Sequence, residues 1–154
     1  MAGKGKAKPS LDPSFTPLES PCNLFFLRRA TLAVSRQYNA ALKSSGLQVT
    51  QFSVLFILHV SGPLSITELA NKMGLDRTSM SRNLMPLQQQ GLVSVSDEGW
   101  HRTRDVAITT AGEKILKKVL PMWRKAQTAF IEHMGQADTA ALIELLGRAS
   151  KMGA

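Results

Sequence analysis

Residues 65–91, SITELANKMGLDRTSMSRNLMPLQQQG preceded by Leu64, are punctuated more tightly than the rest of the chain. Ser65 and Glu68 have the spacing of a capping box, in which each side chain satisfies a free amide at a helix start. Gly74 supplies a turn, Asp76 can cap a second helix, and Gly91 closes it. Two short helices so joined must cross steeply. On the second, Met80, Leu84 and Leu87 share one face, and Thr78, Arg82, Met85 and Gln89 share the other. Pro86 removes a hydrogen bond to the Arg82 carbonyl and should bend the helix beyond its first two turns. Arg77, Thr78, Ser79, Ser81 and Arg82 crowd the beginning of that helix, as a solvated face or as donors fitted to another molecule.

The flanks add longer elements. Ser20-Pro21 can start a helix in which Leu24, Leu27, Thr31, Val34, Tyr38 and Leu42 recur at steps of three and four, ending near Ser44-Ser45-Gly46. Thr50 can cap a second helix with a stripe of Phe52, Leu55, Phe56, His59 and Val60, stopped by Gly62-Pro63. Residues 92–96 and 103–108 alternate in part like strands and predict a β-hairpin with its tip near Gly99. Thr110 and Glu113 match another capping box, opening a helix to about Met134 with a kink at Pro121. Asp138 begins a last helix striped by Leu142, Leu145, Leu146 and Ala149. This order predicts a mainly α fold with a small β-hairpin wing, a winged helix-turn-helix. Its second crossed helix would enter the DNA major groove, presenting hydroxyls and amides to phosphates and Arg82 to base edges.

Charge agrees with a polyanionic partner. Lys plus Arg number 19 against 11 Asp plus Glu, a net charge of +8. The excess does not locate the site, because residues 68–104 hold Lys72, Arg77, Arg82, Arg102 and Arg104 against Glu68, Asp76, Asp97 and Glu98. It supports affinity through counterion release. No apolar run approaches the roughly 20 residues of a membrane span, and MAGKGKAKPS lacks the apolar stretch of a secretory signal. A single cysteine excludes an intramolecular disulfide and fits a reducing cytoplasm.

The stretches LQVTQFSVLFIL, LSITELANKMGLDRTSMSRNLMPLQQQGLVSV and RTRDVAITTAGEKIL resemble the multiple-antibiotic-resistance regulator (MarR) family of bacterial transcription factors, over about residues 22–150. The resemblance implies an obligate homodimer, with two recognition helices in successive major grooves of a pseudo-palindromic operator and wings in adjacent minor grooves. It divides the chain into a mobile basic tail (1–20), an N-terminal dimerisation helix (21–48), a winged DNA-binding lobe (49–110) and long C-terminal dimerisation helices (111–154). The family usually has an acidic residue two places before the wing arginine. Here Arg102 matches the arginine and Trp100 takes the acidic position, so Asp97 or Glu98 would orient Arg102, or Arg104 would share its work. The DNA-binding set is therefore Arg77, Thr78, Ser79, Ser81, Arg82, Arg102 and Arg104, in a bacterial, cytoplasmic, nucleoid-associated protein.

The resemblance also implies repression relieved by a small aromatic or acyl effector bound between the dimerisation helices and the DNA-binding lobe. Phe26, Arg29, Phe56, His59 and Trp123 are candidate pocket residues, with Phe25 and Arg28 beside them. His59 otherwise reads as a core histidine on an apolar stripe. Cys22 lies in a first helical turn, where the dipole favours a thiolate for redox sensing; its plainer reading is a small buried apolar residue. His59, His101, His133 and Cys22 lack metal-ligand spacing, and no cofactor is expected. Ser79 and Ser81 lack a catalytic context, so an enzyme has no constellation behind it. A ligand-independent basic DNA-coating protein is the reading from another class.

Overall fold

The computed structural model describes residues 22–96 and 104–152. Its elements are α1 (Asn23–Leu42), a 3-10 turn (Lys43–Ser45), α2 (Val49–Ser61), β1 (Leu64–Ser65), α3 (Ile66–Met73), α4 (Arg77–Gln89), β2 (Val93–Val95), β3 (Asp105–Ile108), α5 (Thr110–Met134) and α6 (Gln136–Ala149). The fold is mainly helical with a small antiparallel sheet, the winged helix-turn-helix expected from the residues. The expected tail (1–20), the wing tip and Arg102 lie outside the described residues. No helix among the described residues is long and apolar enough to cross a membrane.

The chain divides into two compact units, one ending at Ala33 and the other spanning Val34–Ala154. In the first, α1 exposes Leu24, Phe25, Phe26, Leu27 and Leu32. Phe25 and Phe26 meet edge to face at 5.4 Å, and the Arg29 guanidinium lies 5.5 Å from the Phe25 ring centre.

The second unit holds the core. Leu42, Val54, Leu55, Leu58, Leu69, Met80, Leu87, Val106 and Val119 are almost fully buried. Each such side chain contributes ~1.5–3 kcal/mol relative to exposure. The stripe expected on α1 is buried only at its end, at Tyr38 and Leu42. On α2 the buried face is Phe52, Val54, Leu55 and Leu58, while Phe56, His59 and Val60 are exposed. The expected stripe on α2 is thus corrected by rotation: α5 covers one side while α3, α4 and β3 cover another, which draws Val54 and Leu58 inward.

Three helix starts are also corrected. Gln48, not Thr50, precedes α2; the Asn39 side chain takes the Val49 amide at 2.7 Å, and Gln51 accepts from the Gln48 amide at 2.9 Å. Thr109, not Thr110, caps α5, its hydroxyl accepting from Gly112 N–H at 3.1 Å and donating to the Gly91 carbonyl at 2.7 Å. Gly135, in the positive-φ region, allows α6 to begin two residues before Asp138. Pro86 and Pro121 each lie within one uninterrupted helix.

The sheet has the order β1-β3-β2, all antiparallel. Val93, Ser94 and Val95 face Ile108, Ala107 and Val106, which is the expected hairpin. Strand β1 adds an unexpected third member, pairing Leu64 with Val106 and Ser65 with Asp105. This pairing ties the start of α3 to the base of the wing, and the Ile66 amide donates to the Arg104 carbonyl at 3.2 Å.

Candidate nucleic-acid interface

Helix α4 is held by its beginning and by one face. The Ser65 capping box forms as expected: its hydroxyl accepts from Glu68 N–H at 3.2 Å and donates to Glu68 Oε2 at 2.7 Å. Gly74 takes a left-handed conformation at φ 64, and its amide with that of Leu75 caps the last carbonyls of α3. Only a residue tolerant of positive φ makes this turn without strain. Asp76 then caps α4, accepting from Ser79 N–H at 2.8 Å and from the Ser79 hydroxyl at 2.7 Å.

Met80, Leu84 and Leu87 are buried beneath α4, fixing its rotation. Arg77, Thr78, Ser81 and Arg82 are therefore exposed, together with Met85 and Gln89. Neither Arg77 nor Arg82 has an ion-pair partner among the described residues. The Ser81 hydroxyl donates back to the Arg77 carbonyl at 2.9 Å. Ser79 is half-buried with its hydroxyl proton committed to Asp76. Arg104 is exposed immediately before β3. Lys114, Lys117, Lys118, Arg124 and Lys125 are exposed on α5 without an ion pair among the described residues.

Both caps are carboxylates held below their ordinary range. For Asp76 the main cause is the Ser79 hydroxyl, followed by the Ser79 amide. For Glu68 it is the Ser65 hydroxyl, followed by the Ser65 amide. A depressed carboxyl stabilises the fold above its unfolded-state value, and that contribution disappears as pH falls through the native value. Asp76→Ala should therefore lower the melting temperature at neutral pH, and the gap from the parent protein should close in acid below the ordinary aspartate range. A gap that persisted unchanged under acid would contradict the capping role.

The pocket candidates fall in both units. Phe26 and Arg29 are exposed in the first. In the second, Phe56 stacks on Phe52 at 6.1 Å, and Phe52 stacks on Trp123 at 5.6 Å. His59 is corrected from core to surface: its side chain is 46% exposed, and Nδ1 lies 2.8 Å from Glu113 Oε1 in the first turn of α5. Glu113 thus engages α2 rather than capping its own helix. Cys22 is likewise exposed, not a buried apolar residue. Hollows among the described residues include one of ≈ 430 Å³ along Cys22, Leu24, Phe25, Arg28, Arg29 and Leu32, and a second of ≈ 400 Å³ along Gln37, Ala41, Met122, Lys125, Ala126 and Ala129. The second was not anticipated, because small alanines on two distant helices carry no local sequence signal. No cluster suited to a metal ion occurs among the described residues.

Comparison with known proteins places this geometry. The MarR family model matches residues 47–98. An uncharacterized HTH-type transcriptional regulator of Bacillus cereus is 30% identical over 132 residues, covering 84% of this chain and 88% of that protein. The M. tuberculosis transcriptional regulator MosR, solved both alone and in complex with DNA, is 32% identical with a TM-score of 0.75, covering 86% of this chain and 98% of MosR. BpsR of Bordetella bronchiseptica, whose structure addresses regulation of its DNA binding by 6-hydroxynicotinic acid, has a TM-score of 0.77 at 21% identity, covering 88% and 98% of the two chains. At that identity the likeness is one of fold alone.

Proposed function

The chain belongs to the MarR family of DNA-binding transcriptional regulators, and on that premise we propose that it acts as a homodimeric repressor of a pseudo-palindromic operator. The observation carrying this reading is the division of α4: Met80, Leu84 and Leu87 lock one face into the core, leaving Thr78, Arg82, Met85 and Gln89 outward. A helix so anchored is a rigid probe for a major groove. Arg82 supplies a bidentate donor for a guanine edge, and Arg77, Thr78 and Ser81 supply phosphate partners. Ser79 contributes by holding Asp76 at the cap and offers its oxygen as an acceptor. Arg104 and, on the sequence resemblance alone, Arg102 are assigned to a minor groove, which attracts guanidinium groups where it is narrow.

Two apolar surfaces support self-association. Leu24, Phe25, Phe26, Leu27 and Leu32 are exposed on α1, and Ile143, Leu145 and Leu146 on α6. Contiguous exposed apolar residues mark interaction surfaces. A second copy of the chain would bury them and present two α4 helices to one duplex.

The effector we favour is a small aromatic or acyl acid acting on lobe spacing, since only a ligand with different affinity for two states shifts their populations. The Phe56–Phe52–Trp123 stack and His59 are its proposed protein contacts. The exposure of Cys22 favours one second reading, release by peroxide. Peroxide titration of the parent protein and of Cys22→Ser separates the two, because an unchanged variant removes the thiol from the switch. The setting is a bacterial cytoplasm.

Selection of bound duplexes from a random pool tests the regulator itself. Recovery of one two-fold-symmetric motif, bound ~10³-fold or more tightly than random duplex, is the expected result. A ratio near one would instead assign the protein to the DNA-coating class.

A further inference from the structure

Met85 is 56% exposed near the middle of α4, between Arg82 and Gln89 on the outward face. The core of the helix is already filled on the opposite side by Met80, Leu84 and Leu87. Met85 is therefore an apolar side chain placed among polar ones, with no aromatic or hydrogen-bond partner among the described residues. Singly exposed apolar residues are common on proteins. This one differs in its position: it shares a helical face with Thr78, Arg82 and Gln89, the face that meets DNA in the proposed function.

The chemistry of the major groove narrows what such a side chain meets. Base edges there present hydrogen-bond donors and acceptors, and their one apolar group is the C5-methyl of thymine. Methionine is long, unbranched and polarizable, so it can reach and adapt to a methyl group without requiring a fixed angle. From Arg82 to Met85 the helix rises about 4.5 Å, at ~1.5 Å per residue. That distance is close to the ~3.4 Å rise per base step along one strand. On a helix lying along the groove, two side chains so spaced would fit neighbouring base pairs.

We propose that Met85 is a specificity-determining residue that packs against a thymine methyl next to the base pair read by Arg82, selecting A·T there. The inference rests on α4 being the DNA-reading helix. Its energetic scale is that of removing about one methyl group from water, equivalent to about fourfold in affinity per contact. Pro86 follows directly, and its ring leaves Met85 beside a segment that carries no backbone N–H at the next position. An apolar contact needs none.

The test replaces each operator thymine in turn with deoxyuridine, which deletes the methyl and leaves the base-pairing edge intact. Operator affinities are measured for the parent protein, Met85→Ala and Met85→Leu. At one thymine per half-site the parent should lose about fourfold per contact on losing the methyl. Met85→Ala should show no such loss at that position, and Met85→Leu should restore it in part. Because Met85 is exposed, the thermal melts of all three proteins should coincide. A parent protein insensitive to every methyl, or a Met85→Ala variant as sensitive as its parent, overturns the proposal while leaving operator recognition in place. A parent protein that selects no operator overturns both.

Discussion

On the proposed reading, Arg82→Ala is expected to erase the preference for operator over random duplex while leaving the protein folded and its self-association unchanged. Arg82 is exposed on α4 and has no ion pair among the described residues, so its removal strands no buried partner. A bidentate arginine contact carries ~1–3 kcal/mol of discrimination between bases. Two copies in a symmetric dimer lose about twice that, or about 30-fold to more than 10⁴-fold in affinity ratio. Fluorescence titration of operator and random duplexes at one salt concentration measures the ratio, and sedimentation checks the dimer. Unchanged operator affinity would mean that α4 is not the reading element. Loss on both duplexes alike would make Arg82 a phosphate contact rather than a base contact.

Gly112→Ala is expected to have the largest effect on folding, in the direction opposite to helix propensity. Alanine is usually favoured over glycine within a helix by ~1 kcal/mol. At position 112, however, a Cβ would lie 2.2 Å from the Leu92 carbonyl oxygen and 2.7 Å from Ile108 Cγ1. That oxygen belongs to backbone and already accepts the Thr109 amide at 3.1 Å, so its retreat loosens the junction of β2 with α5. Overpacking of this kind costs ~1–3 kcal/mol and at times more, enough to override the propensity gain. For a chain of this size, each kcal/mol corresponds to a change of about 2–4 °C in melting temperature. Gly147→Ala on α6 is the matched control, because nothing lies within 4 Å of its added Cβ. The control should hold or raise the melting temperature, and Gly112→Ala should lower it by several degrees. Equal behaviour of the two variants would remove the close approach at Gly112.

The contrast between these glycines also marks what the residues alone could reveal. The crossed pair α3–α4 was legible because its signals are local: Ser65 with Glu68, Gly74 at positive φ, and Asp76 with Ser79 all act within four residues. The outward face of α4 was legible for the same reason, since helical period alone separates Met80, Leu84 and Leu87 from Thr78 and Arg82. Non-local pairing was not. Strand β1 exists because Leu64 meets Val106 across the wing, and neither residue announces the other.

The same cause explains the misplaced surfaces and caps. His59 shares the period of Phe52 and Leu55, but tertiary packing decides which part of α2 is covered, and Glu113 from α5 meets its ring at the surface. Asn39 satisfies the first amide of α2 from another helix, making the hydroxyl of Thr50 unnecessary there. Thr109 outcompetes Thr110 because it also reaches the Gly91 carbonyl. On α1, the steps of three and four identify an apolar face without saying whether its cover comes from the same chain; Leu24 and Leu27 remain exposed.

A hydroxyl-radical footprint of the protein on an operator selected from random duplexes most directly tests the proposal that a pair of α4 helices reads DNA. Two protected patches related by two-fold symmetry, with the α4 contacts centred one turn of duplex apart, at ~10–10.5 base pairs, are the expected result. A single patch, or even protection along the whole duplex, would contradict a symmetric pair of groove-reading helices.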